Sequence, residues 1–208
     1  MNFSGINFCD TGNGPGCRVS LFVSGCTNNC KGCFSKNTWD FESGELFTRK
    51  QMKEILDRSE PKFIRGLSIL GGEPLHPKNS EEVLKIVKEY RDRFGETKDV
   101  WIWTGYEFDH LRYPIHAYDQ CMIDEGLDLK EEFYKAGYKD YPLCDATKEL
   151  LGLRCVFVCG RFNEDEKDLT LPYRGSRNQY LVFTDKGNYR WAYKNDDIEE
   201  KIKEMGLG

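Results

Sequence analysis

The first half of the chain alternates short apolar runs with helix-like segments, and this alternation limits the folds that are open to it. Three apolar runs, residues 18–24, 67–70 and 100–103, read as strands. A helical pattern with capping-box spacing opens at Thr48, and a second helical pattern opens at Ser80. Strands that alternate with helices are typical of βαβ units. The order therefore predicts an α/β fold, either a partial (β/α) barrel or an open, mostly parallel sheet.

The second half of the chain is less regular and predicts a different ending to the sheet. Residues 154–159 read as another strand, and residues 180–183 and 189–193 read as a hairpin. A short charged helix is expected at residues 196–205. The length of the chain fits one domain over residues 1–208, with a C-terminal hairpin.

Three turns follow the predicted parallel strands. They are the cysteine-containing loop that begins after residue 25, the pair Gly71-Gly72 and the pair Thr104-Gly105. In parallel sheets, ligands bind beyond the carboxyl ends of the strands. We therefore expect all three turns at one edge of the sheet, where a functional site would be found.

The charge and hydropathy of the chain argue against two kinds of partner. The net charge is -5, from 30 basic and 35 acidic side chains, whereas a nucleic-acid backbone requires a basic face. No run approaches the roughly 18 apolar residues of a membrane span, and no leader pattern precedes the first strand. We expect a cytoplasmic protein with neither nucleic acid nor membrane as partner. In that reducing compartment, nine cysteines indicate metal or redox chemistry more than disulfides.

The first of these turns has the spacing of an iron–sulfur site. Cys26, Cys30 and Cys33 form a C-x3-C-x2-C pattern. An ordinary four-iron cluster takes four thiolates, so three thiolates leave one iron open to bind a substrate. The alternatives are three unrelated cysteines or a zinc site, which needs a fourth Cys or His. The chain has three histidines, His76, His110 and His116, and none of them forms the close pair that a zinc site would need.

The second turn reads Gly71-Gly72-Glu73-Pro74. Paired glycines let the backbone approach a ligand closely, and a carboxylate can accept hydrogen bonds from an ammonium group. The alternative is an ordinary strand-to-loop turn with a solvated acid.

Together, the two motifs resemble those that define the radical S-adenosylmethionine superfamily. The resemblance implies a 4Fe-4S cluster on Cys26, Cys30 and Cys33, whose open iron chelates S-adenosylmethionine. It further implies that an electron from the cluster cleaves this cofactor to methionine and a 5′-deoxyadenosyl radical, and that the Gly-Gly-Glu turn binds the methionyl amino group. Phe34 stands where the superfamily has an aromatic residue that flanks the adenine. The implied cofactor-binding residues are Gly32, Cys33, Phe34, Gly71, Gly72 and Glu73.

Further motifs resemble the activating component of anaerobic (class III) ribonucleotide reductases. They fall in the family's order at residues 13–18, 38–39, 72–77, 101–106 and 174–179. The resemblance implies an activase that generates a glycyl radical on the reductase large subunit, with an electron donor such as flavodoxin. The alternatives are another small radical enzyme acting on a purine-like or peptide substrate, and a non-enzymatic iron–sulfur module.

Two segments depart from that family. Residues 112–153 look like an insertion, and Cys159-Gly160-Arg161-Phe162 stands where the family tends to have Asp-Gly-Lys followed by an aromatic residue. Arg174 and Ser176 either hold the cofactor or cap a loop.

The other cysteines allow a hypothesis of a second cluster. Its ligands would be Cys121, Cys144, Cys155 and Cys159. The simpler interpretation is that all four are small buried apolar residues, and the same is expected of Cys9 and Cys17.

Overall fold

The computed structural model describes residues 1–112, 144–192 and 198–204. In chain order the elements are β1 (Asn2–Asp10), β2 (Cys17–Val23), β3 (Glu45–Leu46), α1 (Arg49–Ser59), β4 (Ile64–Gly71), α2 (Pro77–Phe94), β5 (Asp99–Trp103), α3 (Phe108–Arg112), α4 (Asp145–Gly152), β6 (Cys155–Cys159), β7 (Tyr180–Asp185), β8 (Asn188–Ala192) and α5 (Ile198–Glu204). Short 3₁₀ turns lie at Lys36–Thr38 and Glu164–Glu166. None of the helices described in these ranges is both long enough and apolar enough to span a membrane.

The strands form one eight-stranded sheet in the order β3-β1-β2-β4-β5-β6-β7-β8. The four central strands β2, β4, β5 and β6 are parallel, and the outer strands on both sides join antiparallel. Within the described residues the edge strands β3 and β8 do not pair with each other, so the sheet is open. The α/β prediction, with a parallel centre and a late hairpin, is confirmed.

Local sequence signals account for the helix boundaries. Thr48 and Gln51 form the predicted capping box of α1. The second helix begins at Pro77, before the predicted Ser80, because the His76 side chain accepts a hydrogen bond from the Lys78 amide and proline suits the first helical position. It ends at Gly95, as predicted.

The sequence analysis missed β1, the strand that pairs with β2. Its residues alternate poorly between apolar and polar, and the pairing with β2 shifts register between Phe3 and Gly5 and again between Asn7 and Asp10. Such irregularity removes the period of two by which a strand is recognised.

The prediction for Cys9 and Cys17 is wrong. They were expected to be small buried residues, but Cys9 is exposed and pairs with Cys17 as a disulfide. The two residues lie at the ends of β1 and β2, on either side of the 11–16 loop, and their Cα atoms are 5.3 Å apart, a normal disulfide separation. Antiparallel pairing, not core packing, brings them together.

The predicted insertion at residues 112–153 lies largely outside the described residues, as does Cys121. Its last part forms α4, which packs against α2. Ser80 Oγ lies 3.1 Å from Cys144 Sγ, and Leu150 and Leu151 are buried in the main hydrophobic core. The end of this segment therefore belongs to the body of the fold.

Cys155 and Cys159 are buried at the two ends of β6 and pack in the main core, as the simpler interpretation expected. Cys144 is half-buried and contacts the hydroxyls of Ser80 and Thr147.

A buried arginine joins the first three parallel strands. Arg18 has no exposed surface, pairs with Asp99 and donates to Ser68 Oγ at 2.7 Å. Across the sheet, Gly66 lies between Arg18 and Asp99. A Cβ at Gly66 would come within 2.9 Å of the guanidinium, so glycine leaves the room that this ion pair needs.

Removing one partner of this buried pair should be costly. Asp99→Asn leaves the Arg18 charge buried without a counterion, and we expect a loss of about 3–5 kcal/mol in the free energy of unfolding. Urea unfolding of the metal-free chain measures this loss. The control is Asp57→Asn, which breaks the exposed Lys53–Asp57 pair on α1 and should cost far less. Equal losses in the two variants would contradict the account.

Candidate functional site

A pocket of about 500 Å³ lies beyond the carboxyl ends of β2, β4 and β5. Its walls include all three turns that the sequence placed at one edge of the sheet: the cysteine loop, Gly71-Gly72 and Thr104-Gly105. The predicted site residues that line it are Cys26, Cys30, Cys33, Phe34, Gly71, Gly72 and Glu73. The expectation that these turns meet is confirmed.

Backbone hydrogen bonds anchor the start of the cysteine loop. The Gly25 amide donates to the Thr38 carbonyl at 2.7 Å, and the Cys26 amide donates to the Trp39 carbonyl at 3.0 Å. The Cys33 amide closes a turn onto the Cys30 carbonyl at 3.2 Å. The 38–39 segment thus holds the loop against the strand from which it emerges.

The three thiols share one environment. Burial, followed by the charge of Glu73, raises the pKa of Cys26 to about 12. Burial and the neighbouring Cys33 also raise the pKa of Cys30. The thiolates of Cys26 and Cys30 are therefore disfavoured in the empty site, and a positively charged metal group would favour them. Within the described ranges, no three His, Cys, Asp or Glu side chains converge closely enough to hold a single metal ion.

The Gly71-Gly72-Glu73 turn packs directly on the cysteine loop. The Glu73 amide donates to the Gly25 carbonyl at 2.8 Å, and Gly71 has a φ of 105°, which favours glycine. A Cβ at Gly72 would lie 2.5 Å from the Gly25 carbonyl oxygen. The absence of side chains here is what lets the two loops touch.

The Glu73 carboxylate is buried, with 1% of the residue exposed, so the alternative of a solvated acid is wrong. Its Oε1 accepts from Thr104 Oγ1 at 2.7 Å and from the Leu75 amide at 3.1 Å. Its Oε2 accepts from the Gly105 amide at 2.8 Å and from Asn28 Nδ2 at 2.9 Å. One carboxylate therefore connects the ends of two strands and the cysteine loop.

Two asparagines in this network were missed by the sequence analysis. Asn28 lies between two predicted ligands, where the motif prescribes no residue type. Asn79 is buried in the first turn of α2 and donates to the carbonyls of Ser24 and Glu73, each at 3.0 Å. A polar residue in a helical first turn is common, so no pattern in the sequence distinguished it.

Phe34 lies at the rim of the pocket. It is 60% exposed, and its ring centroid is 4.9 Å from that of Phe162. A Cβ at Gly175 would be 3.2 Å from the Phe34 ring. The segment between β6 and β7 therefore folds back over the cysteine loop.

Within that segment, Ser176 has the loop-capping role. It is fully buried, and its Oγ accepts from the Asn163 amide at 3.1 Å. Arg174 lines the pocket and donates to the Gln179 carbonyl at 3.3 Å.

The donor set fits a 4Fe-4S cluster and S-adenosylmethionine. Three half-buried thiols on one loop have the chemistry of cluster ligands, and the adjoining volume lies in the usual range of small-molecule sites, roughly 300–1,000 Å³. Gly72 and Gly105 bring bare backbone to the same wall, next to the Glu73 carboxylate.

Comparison with known proteins agrees with this class of site. Residues 12–182 match the family described as a 4Fe-4S single cluster domain, which makes the chain an iron–sulfur protein of that class. The anaerobic ribonucleoside-triphosphate reductase-activating protein of Escherichia coli K12 is 35% identical over 183 residues, which cover 87% of this chain and 97% of the relative. The protein of the same name from phage T4 is 46% identical over 125 residues, 60% of this chain and 80% of the relative. The chain belongs to the family of these reductase-activating proteins.

The stability of the metal-free chain should depend on Glu73 and pH. Burial raises the pKa of Glu73 to about 7, from an ordinary value of 4.5. Between these values the folded chain holds a proton that the unfolded chain has released, so the free energy of unfolding should fall as pH rises from 4.5 to about 7.

Urea unfolding at a series of pH values tests this, because Glu73→Gln has no proton to lose and should flatten the decline. The control is Glu164→Gln, which changes an exposed carboxylate and should leave the decline in place. An unchanged pH profile in Glu73→Gln would contradict the assignment.

Proposed function

We propose that this chain activates an anaerobic ribonucleotide reductase. It binds one 4Fe-4S cluster and S-adenosylmethionine, cleaves this cofactor reductively and generates a glycyl radical on the reductase large subunit. The observation that carries the proposal is the meeting of three half-buried thiols and the Gly-Gly-Glu turn in one pocket of a chain from this family. When bound, the cluster supplies the electron for cofactor cleavage.

Cys26, Cys30 and Cys33 are the proposed ligands of the cluster. Three thiolates leave one iron for the amino and carboxylate groups of the cofactor. The carbonyls of residues 38–39 hold the start of this loop and Glu73 holds its middle through Asn28, which supports the assignment.

The proposed cofactor-binding residues come from the Gly-Gly-Glu turn and from the cysteine loop, which meet at the pocket. Gly71 and Gly72 offer backbone groups to the methionyl ammonium, and the Glu73 carboxyl group offers oxygen acceptors that suit a cation. Cys33 and Phe34 also line the pocket, where the Phe34 ring offers a face for the adenine, whereas Gly32 lies beside them in the cysteine loop, outside the pocket lining.

The reductase must bring a glycine close to the bound cofactor. The main contribution of this chain is then to hold the cofactor and the glycine in position. Phe34 and Leu169, two large apolar residues with 60% and 67% of their surface exposed, line this pocket. They offer apolar contacts to an entering segment of the reductase. A flavodoxin-type electron donor, a cytoplasmic location and a single domain over residues 1–208 stay predictions.

Iron content tests the ligand assignment. Anaerobically reconstituted protein should carry about four irons per chain, since one cluster contains four. Cys26→Ala, Cys30→Ala and Cys33→Ala should each lose the cluster and its visible absorption. Cys144→Ala is the control and should keep it, because Cys144 lies outside the pocket lining. Stoichiometric zinc in protein isolated without oxygen would contradict the assignment.

A second experiment tests the reaction. The chain, a reductant, S-adenosylmethionine and the reductase subunit from the same source should give a stable glycine-centred radical, seen as a doublet by electron paramagnetic resonance. Without the reductase, cofactor cleavage should be slow and leave no lasting radical. If the reductase gives no radical while a small molecule consumes the cofactor stoichiometrically, the chain is a different radical enzyme.

A further inference from the structure

Asn28 occupies the middle of the cysteine loop, two residues from Cys26 and two from Cys30. Its half-buried side chain donates from Nδ2 to Glu73 Oε2 at 2.9 Å, across 45 residues of sequence. The neighbouring Asn29 is exposed, and its amide bonds only within the loop, to the Thr27 carbonyl at 3.2 Å. Of the two adjacent asparagines, Asn28 is therefore the one that links the loop to the sheet.

The acceptor that Asn28 uses is fixed in place. Glu73 Oε2 also receives the Gly105 amide at 2.8 Å, and Oε1 receives Thr104 Oγ1 and the Leu75 amide. These partners come from the ends of β4 and β5, so the position of the carboxylate is set by the parallel strands. A hydrogen bond from Asn28 to this carboxyl group therefore fixes the loop relative to the strands.

The space around the Asn28 amide is equally restricted. A Cβ at Gly105 would lie 2.4 Å from Asn28 Nδ2 and 3.4 Å from Glu73 Oε2. The amide therefore fills the space above a bare glycine, and the pocket wall at this point consists of Asn28, Glu73 and Gly105 in contact.

We propose that Asn28 is a positioning residue: its amide, held by Glu73, fixes the stretch between the first two cluster ligands against the ends of β4 and β5. If the chain has the proposed function, this contact sets the distance between the cluster loop and the Gly-Gly-Glu turn. The cluster loop and the Gly-Gly-Glu turn, which form the two sides of the proposed cofactor site, then stay at a fixed distance from each other.

Hydrogen–deuterium exchange on the metal-free chain tests the contact itself. In Asn28→Ala, peptides that cover residues 26–33 should exchange about tenfold faster, the factor that corresponds to about 1.4 kcal/mol. Two controls are matched to this change. Thr104→Val removes another hydrogen bond from the same carboxylate, and Asn29→Asp alters the adjacent loop residue while tolerating its φ of 50°.

Neither control should speed exchange of residues 26–33 to the same extent. In a Glu73→Gln background, Asn28→Ala should have a smaller effect, because the two residues act through one contact. Exchange in Asn28→Ala that matches the unmodified chain or the Asn29→Asp control would overturn the proposal.

Cofactor affinity provides the second readout. In the iron-loaded enzyme, Asn28→Ala should keep its iron and bind S-adenosylmethionine about tenfold more weakly. Unchanged affinity in Asn28→Ala would overturn the positioning role toward the cofactor. If the unmodified chain binds no cofactor, the proposed function fails, and the exchange experiment still decides whether Asn28 positions the loop.

Discussion

The buried Glu73 carboxylate is the contact on which the site depends. Four hydrogen bonds from three separate segments meet on its two oxygens. An anion in a buried position is tolerable only when donors surround it, so the carboxylate and its donors specify one another. The loops at the ends of β2, β4 and β5 are held in one arrangement because each contributes to satisfying this charge.

The same three strands are joined by a second polar group below the site. Arg18 on β2 pairs with Asp99 on β5 across Gly66 of β4, and it also donates to the Leu67 carbonyl at 3.0 Å. The parallel centre of the sheet is thus fixed by an arginine beneath the site and by a glutamate at its ligand-facing edge. Both groups need glycine beside them, Gly66 for the ion pair and Gly105 for the carboxylate and its Asn28 donor.

Much of this arrangement could be predicted from the sequence. The parallel core follows from apolar runs that alternate with helical patterns, and the site follows from turns that must lie beyond the same strand ends. What could not be predicted depends on contacts between distant residues. In the sequence, Asn28 is an ordinary loop asparagine. Its role comes from the hydrogen bond to Glu73, 45 positions later, which exists only in the folded chain. The Cys9–Cys17 disulfide and the irregular strand β1 likewise arise from antiparallel pairing, which local periodicity does not record.

The proposed reaction requires this pocket to hold the cofactor close enough to a partner glycine for direct hydrogen transfer. The most direct measurement uses a reductase subunit deuterated at the α-carbon of its glycines. After anaerobic reaction with this chain, reductant and S-adenosylmethionine, mass spectrometry of the 5′-deoxyadenosine reports the origin of the transferred hydrogen. The account predicts one deuterium in each molecule formed together with a glycyl radical. Unlabelled 5′-deoxyadenosine, produced while the radical accumulates, would contradict it.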